Sequence, residues 1–130
     1  MAKILIIDDD AMVRTTIEQT LEDAGYDVVT ARNGLHGTAA FHRTQPDLVI
    51  TDIVMPEQDG IQTITEIRAA KPDAKIIAIS GGGRTGNADF LKNALALGAM
   101  DVVPKPFDPD ALLTVVANCL AGRSHRDSPR

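Results

Sequence analysis

The 130 residues carry 44% hydrophobic and 24% charged side chains and a formal net charge of −5 at pH 7. That is the length and balance of one globular domain with a core of its own, and no apolar run reaches the ~18 residues of a membrane span. The excess of negative charge, with three Phe, one Tyr and no Trp, argues against direct contact with nucleic acid, which needs clustered cations and stacking rings.

The chain opens on Met1-Ala2-Lys3 and an apolar run, without a signal-peptide pattern. The lone Cys119 allows no internal disulfide. Both features lead to the expectation of a cytoplasmic protein. Cys119 has apolar neighbours and is expected to pack in the core.

In chain order, Lys3 to Ile7 reads as a short apolar strand that ends in Asp8, Asp9 and Asp10. A helix follows, because Val13, Ile17 and Leu21 recur every four residues as one apolar stripe. Asp10 stands where an N-cap belongs and Gly25 where the helix should stop. Asp27 to Ala31 is a thinner second strand. Asn33-Gly34 breaks the chain before a helix running to about Thr44, and Pro46 closes the connection.

The third strand, Asp47 to Thr51, is β-branched and continuously apolar at its centre, the pattern of a strand buried on both faces. It stops at Asp52, and Met55-Pro56 and Asp59-Gly60 bracket a loop. Ile61, Ile64 and Ile67 mark a third helix. Lys75 to Ser80 is a fourth strand, followed by a glycine-rich loop over Gly81 to Gly86 and a helix from Asn87 to Leu97. Asp101 to Val103 is a short fifth strand, and Lys105-Pro106-Phe107 a turn. Asp108 or Asp110 caps a last helix carried by Leu112, Val115, Val116 and Leu120. Residues 122–130 are polar and are expected to form a disordered tail behind a domain over 2–121.

Strands alternating with helices imply βαβ units with right-handed crossovers. The expected fold is α/β: a doubly wound (βα)5 parallel sheet of flavodoxin-like strand order 2-1-3-4-5. All strands of such a sheet end on one edge. Asp8-Asp9, Asp52, Ser80 and Lys105 then share a surface, and strands one and three are neighbours, so carboxylates crowd together. Two of them at ~4 Å repel by ~1 kcal/mol in water and ~4 kcal/mol at an effective dielectric near 20. A divalent cation reverses that. An all-oxygen donor set favours Mg²⁺, with Mn²⁺ as the alternative, over Zn²⁺. Carboxylate, cation, ammonium and hydroxyl together can receive and hold a phosphoryl group, and an aspartate can be the nucleophile.

These residues resemble the receiver domain of bacterial two-component response regulators. The matching pieces are Ile4 to Asp10, Asp47 to Pro56 with Asp59-Gly60, Ile79-Ser80, Ala94 to Ala99 and Lys105 to Phe107, in the family's order. The resemblance implies a switch phosphorylated on Asp52 by a histidine kinase or histidine phosphotransfer protein. It also implies Mg²⁺ held by Asp8, Asp9, Asp52 and the backbone carbonyl of Val54. Lys105 would pair with a phosphoryl oxygen, and Ser80 would move toward it. Such a protein phosphorylates and dephosphorylates itself only, and alters partner binding without touching nucleic acid or entering a membrane.

Two departures stand out. Val102 occupies the place where many receivers carry a Tyr or Phe that rotates with the hydroxyl, so that coupling is not expected here. The Ser80-to-Lys105 connection is longer than usual for the family. Its Gly81–Gly86 stretch reads first as a mobile loop and second as an anion-holding nest of amides. His36, His42 and His125 lie in no motif and read as solvent-facing. A stand-alone receiver is the favoured reading. A receiver excised from a longer regulator fits the same residues. An Asp-nucleophile phosphohydrolase would use the Asp8-x-Asp10 spacing, but the continuation such enzymes want is missing.

Overall fold

The computed structural model describes residues 2–52, 60–80, 99–104 and 108–122, with residues 60, 61, 80, 102 and 104 described by their backbone alone. The described residues form five strands: β1 (Lys3–Ile7), β2 (Asp27–Ala31), β3 (Leu48–Asp52), β4 (Ile76–Ser80) and β5 (Asp101–Pro104). The described helices are α1 (Ala11–Asp23), α2 (Gly34–Thr44), α3 (Gly60–Ala70) and the C-terminal helix (Pro109–Leu120). The expected helix over 87–97, the Gly81–Gly86 loop and the 123–130 tail lie outside the described residues.

Local chemistry sets the helix ends. The Asp10 carboxylate accepts from the N–H groups of Met12 and Val13 at 2.9 and 3.3 Å, satisfying two of the orphan donors of α1. At the other end Gly25 takes φ 97°. Its N–H donates to Glu22 O at 3.0 Å and that of Tyr26 to Leu21 O at 3.1 Å, the paired bonds of a glycine-terminated helix. Asn33 caps α2 through His36 N at 2.8 Å. Helix α2 stops at Gln45, which is left-handed with φ 48°, a conformation the sequence does not advertise because no glycine stands there. Of the two caps open for the last helix, Asp108 serves, accepting from Ala111 N at 3.3 Å, with Pro109 in the first turn.

The sheet is parallel throughout, in the order β2-β1-β3-β4-β5. Period-two alternation divides each strand between two apolar layers. Ile4 and Ile6 of β1 face a layer with Ile17 and Leu21 of α1 and Leu112, Val116 and Cys119 of the C-terminal helix. Leu5 and Ile7 face the other layer, with Ala40 and Phe41 of α2 and Ile64 and Ile67 of α3. A strand with helices on both sides cannot expose either face, which is why β1, β3 and β4 read as unbroken apolar runs.

Strand β3 runs from Leu48 to Asp52, one residue later at each end than the sequence alone places it. Asp47 is taken up by the edge: its N–H donates to Lys3 O at 2.8 Å and its carboxylate accepts from Lys3 N at 2.8 Å. At the other end Asp52 pairs in register with Ile79. Helix α2 approaches the sheet through Gly37, where a Cβ would stand 2.7 Å from Ile7 Cγ1, so only glycine fits without moving the residue before Asp8.

Cys119 is fully buried. Burial pushes its thiol up to about 12, the Asp101 carboxylate adds to the rise, and Lys75 opposes it. The folded value exceeds the unfolded one, so the unfolded chain loses this proton first as pH rises. The thiol's share of stability is complete below the unfolded value and is lost between roughly pH 9 and 12. Urea midpoints at pH 8 and 10.5 should therefore fall further for the wild type than for Cys119→Ala. An equal fall would assign the pH effect to lysine and tyrosine alone.

Candidate functional site

Strands β1 and β3 are adjacent, with Ile7 opposite Thr51. The next residue of each strand is therefore Asp8 beside Asp52, at the carboxyl edge of the two central strands. In open α/β sheets the crevice for ligands lies at this edge, where the strand order turns back on itself. Asp8 continues the ladder for one more step, donating its N–H to Ala31 O at 3.2 Å. The chain then turns sharply. Asp8 Oδ1 accepts from Asp10 N at 2.9 Å, and Asp10 caps α1, so Asp9 is held between two aspartates committed to backbone donors.

One carboxylate oxygen from each of Asp8, Asp9 and Asp52 lies within 4.8 Å of the other two. Asp8 is fully buried and Asp52 is 3% exposed, whereas Asp9 faces solvent. At that separation two ionised carboxylates repel by roughly 3 to 4 kcal/mol at an effective dielectric near 20. Folding brings them together because β1 and β3 are driven by their apolar faces, and the acids follow as the next residues in line. Hard oxygens, two buried and one open to water, suit a hard divalent cation that keeps some of its own water. Neither His nor Cys belongs to this cluster, so it lacks the donors zinc prefers.

The cluster contains three of the expected site residues. Ser80 ends β4 on the same edge, opposite Pro104 of β5. Val54 and Lys105 lie outside the described residues, as do the side chains of Ser80 and Val102. Asp10 serves as the helix cap that its position suggests. His36 and His42 are exposed, and His36 Nδ1 stands 2.9 Å from Asn33 Oδ1.

One participant was not read from the sequence. Arg14 Nη1 donates to the backbone carbonyl of Asp8 at 2.7 Å, bracing the peptide that carries the buried acid. Its only sequence signal is its place in the first turn after the aspartates, which is too common to single it out.

No helix among the described residues is long and apolar enough to cross a membrane. The family model for the response regulator receiver domain matches residues 4–117. The chemotaxis protein CheY of Listeria monocytogenes is 39% identical over 114 residues, which cover 87% of this chain and 93% of that protein. The DNA-binding transcriptional regulator NtrC of Rhizobium meliloti is 36% identical over 127 residues, covering 98% of this chain but 26% of that protein. Among solved structures, a response regulator receiver domain protein from Clostridium thermocellum superposes with a TM-score of 0.87 at 31% identity, covering 94% of this chain and 96% of that one. The fold, the edge-on acidic cluster and these matches together show that the chain belongs to the response regulator receiver domains, the phosphorylation-controlled switches of two-component signalling.

Proposed function

We propose that Asp52 accepts a phosphoryl group from a histidine kinase or a histidine phosphotransfer protein, and that the phosphorylated protein then binds a different partner. The observation that carries this reading is the convergence of Asp8, Asp9 and Asp52 within 4.8 Å on the carboxyl edge. Asp8 is fully buried and one of its oxygens already accepts from Asp10, which suits it to holding a cation rather than attacking a donor. Asp9 is exposed and flanks the site. Asp52, at the end of the central strand and just reached by solvent, is the nucleophile.

An oxygen of Asp52 forms the new P–O bond as the P–N bond to the donor imidazole breaks, and the electron pair leaves with the imidazole. The product is an acyl phosphate. Asp8, Asp9, Asp52 and the carbonyl of Val54 would hold Mg²⁺, with Mn²⁺ as the alternative; when bound, the ion supplies positive charge to the phosphoryl oxygens and to the crowded carboxylates. Lys105 would pair with one phosphoryl oxygen, and the Ser80 hydroxyl would donate to another as its loop moves in. The stand-alone receiver, occupying 2–121, is the favoured form. The same chemistry would serve a receiver within a longer regulator.

Intact mass after incubation with a small acyl-phosphate donor tests the proposal. One added phosphoryl group is expected with Mg²⁺ and none with EDTA. Multiple turnover of a free phosphomonoester would instead mark a phosphohydrolase and defeat it. Binding can be read without chemistry. Mg²⁺ at about 100 times its dissociation constant should stabilise the fold by ~2.7 kcal/mol. Asp9→Asn should lose most of that gain, and an unchanged gain would remove Asp9 from the site.

A further inference from the structure

A second charged site lies around the corner from the acidic cluster, at the carboxyl end of β2. Among the described residues strand β2 is an edge strand, paired with β1. Helix α1 packs on one face of the sheet and α2 on the other. Between them, past the edge of β2, is a cavity of about 340 Å³ lined by Arg14, Thr30, Arg32, His36, Arg43 and alanines of β2 and α2. Three arginines and a histidine line it in a chain whose net charge is −5. Among the described residues no acidic side chain lines it.

The contrast with the opposite end of the sheet is informative. The cavity there also gathers cations, Lys71 and Lys75, but Asp47 and Asp73 line it with them. Lys75 is moreover spent on the carbonyl of Leu120 at 3.0 Å. That cavity is charge-balanced within itself. The β2 cavity is not: arginines line it with no carboxylate beside them among the described residues, so an anion meets complementary charge there.

We infer that the cavity bounded by Arg14, Arg32, His36 and Arg43 is a binding site for a small phosphate-bearing anion. Guanidinium groups present planar forks of N–H donors that match phosphate oxygens two at a time. The Arg14 fork is already oriented by its bond to Asp8 O, so less freedom is lost when its remaining donors engage a ligand. Thr30 adds a hydroxyl on the same wall. The volume lies at the small end of ligand pockets and admits a diphosphate group more readily than a bulky cofactor. This site stands apart from Asp52 and does not depend on the phosphoacceptor reading.

The test is a titration of the ¹⁵N-labelled full chain with inorganic pyrophosphate, at constant ionic strength and with EDTA present to silence the acidic cluster. Saturable shifts are expected, confined to the amides near Thr30 to Arg32 and His36 to Arg43. The exposed pair Arg32→Ala/Arg43→Ala should weaken binding at least tenfold while leaving the rest of the spectrum in place. Lys71→Gln, at the other end of the sheet, should leave the affinity unchanged. Shifts that fail to saturate, that spread over all the cationic surface, or that persist in the double variant would overturn the inference.

Discussion

Asp52→Asn is expected to gain no phosphoryl mass under conditions that phosphorylate the wild type fully, and at the same time to be more stable than the wild type in EDTA. The two results share one cause. Asparagine has nearly the shape of aspartate but neither the nucleophilic oxygen nor the charge. Removing one negative charge from three carboxylates within 4.8 Å of one another, two of them buried, relieves repulsion in the cation-free protein. The gain should be on the order of 1 kcal/mol, the part of the Coulomb term left after screening and relaxation. Mg²⁺ should stabilise the variant less than the wild type, and the two stability curves should converge as Mg²⁺ rises. An adduct that persists in the variant would place the acceptor elsewhere. A variant less stable than wild type in EDTA would mean that the carboxylates do not strain the edge as the geometry implies.

Phe41→Ala should have the largest effect on stability, a loss of about 3 to 5 kcal/mol. Among the described residues Phe41 is the largest fully buried side chain, at 2% exposure. It anchors α2 in the same apolar layer as Leu5 and Val49, and its ring meets that of His42 edge-on at 5.8 Å. The close approach of Gly37 to Ile7 leaves α2 little room to slide and refill the space, so most of the cavity would remain. Against the 5 to 15 kcal/mol typical of a whole domain, that is a large fraction. Urea denaturation measures it directly. A loss under ~1 kcal/mol would show that α2 collapses onto the sheet after all.

Much of the architecture was legible because it rests on local rules. Apolar runs in β1 and β3 announced strands covered on both faces, and Asp10, Asn33 and Gly25 marked helix ends through bonds to backbone only a few residues away. The acidic cluster was legible for a different reason. Asp8 and Asp9 come straight after β1 and Asp52 ends β3, and a parallel sheet brings all such positions to one edge. The strand order that makes Asp8 and Asp52 neighbours came from the alternation of elements and from the likeness to known receivers, not from any single residue.

Other features depended on contacts that no local pattern carries. Asp52 belongs to β3 because it pairs with Ile79 of β4, while Asp47 at the other end is taken up by Lys3, 44 residues away. The left-handed Gln45 ends α2 where composition offered no signal. Arg14 reached Asp8 O only because α1 folds back beside β1. The cationic cavity draws on Arg14, Arg32, His36 and Arg43 from two helices and the turn after an edge strand, and along the chain these residues look like ordinary solvated charges. Periodicity and capping determined which segments form strands and helices and which residues end them, because those energies act over one or two turns of chain. Which side chains meet across elements was decided by the packing of α1 and α2 on opposite faces of the sheet, because contact in space is set by the shape of the whole core.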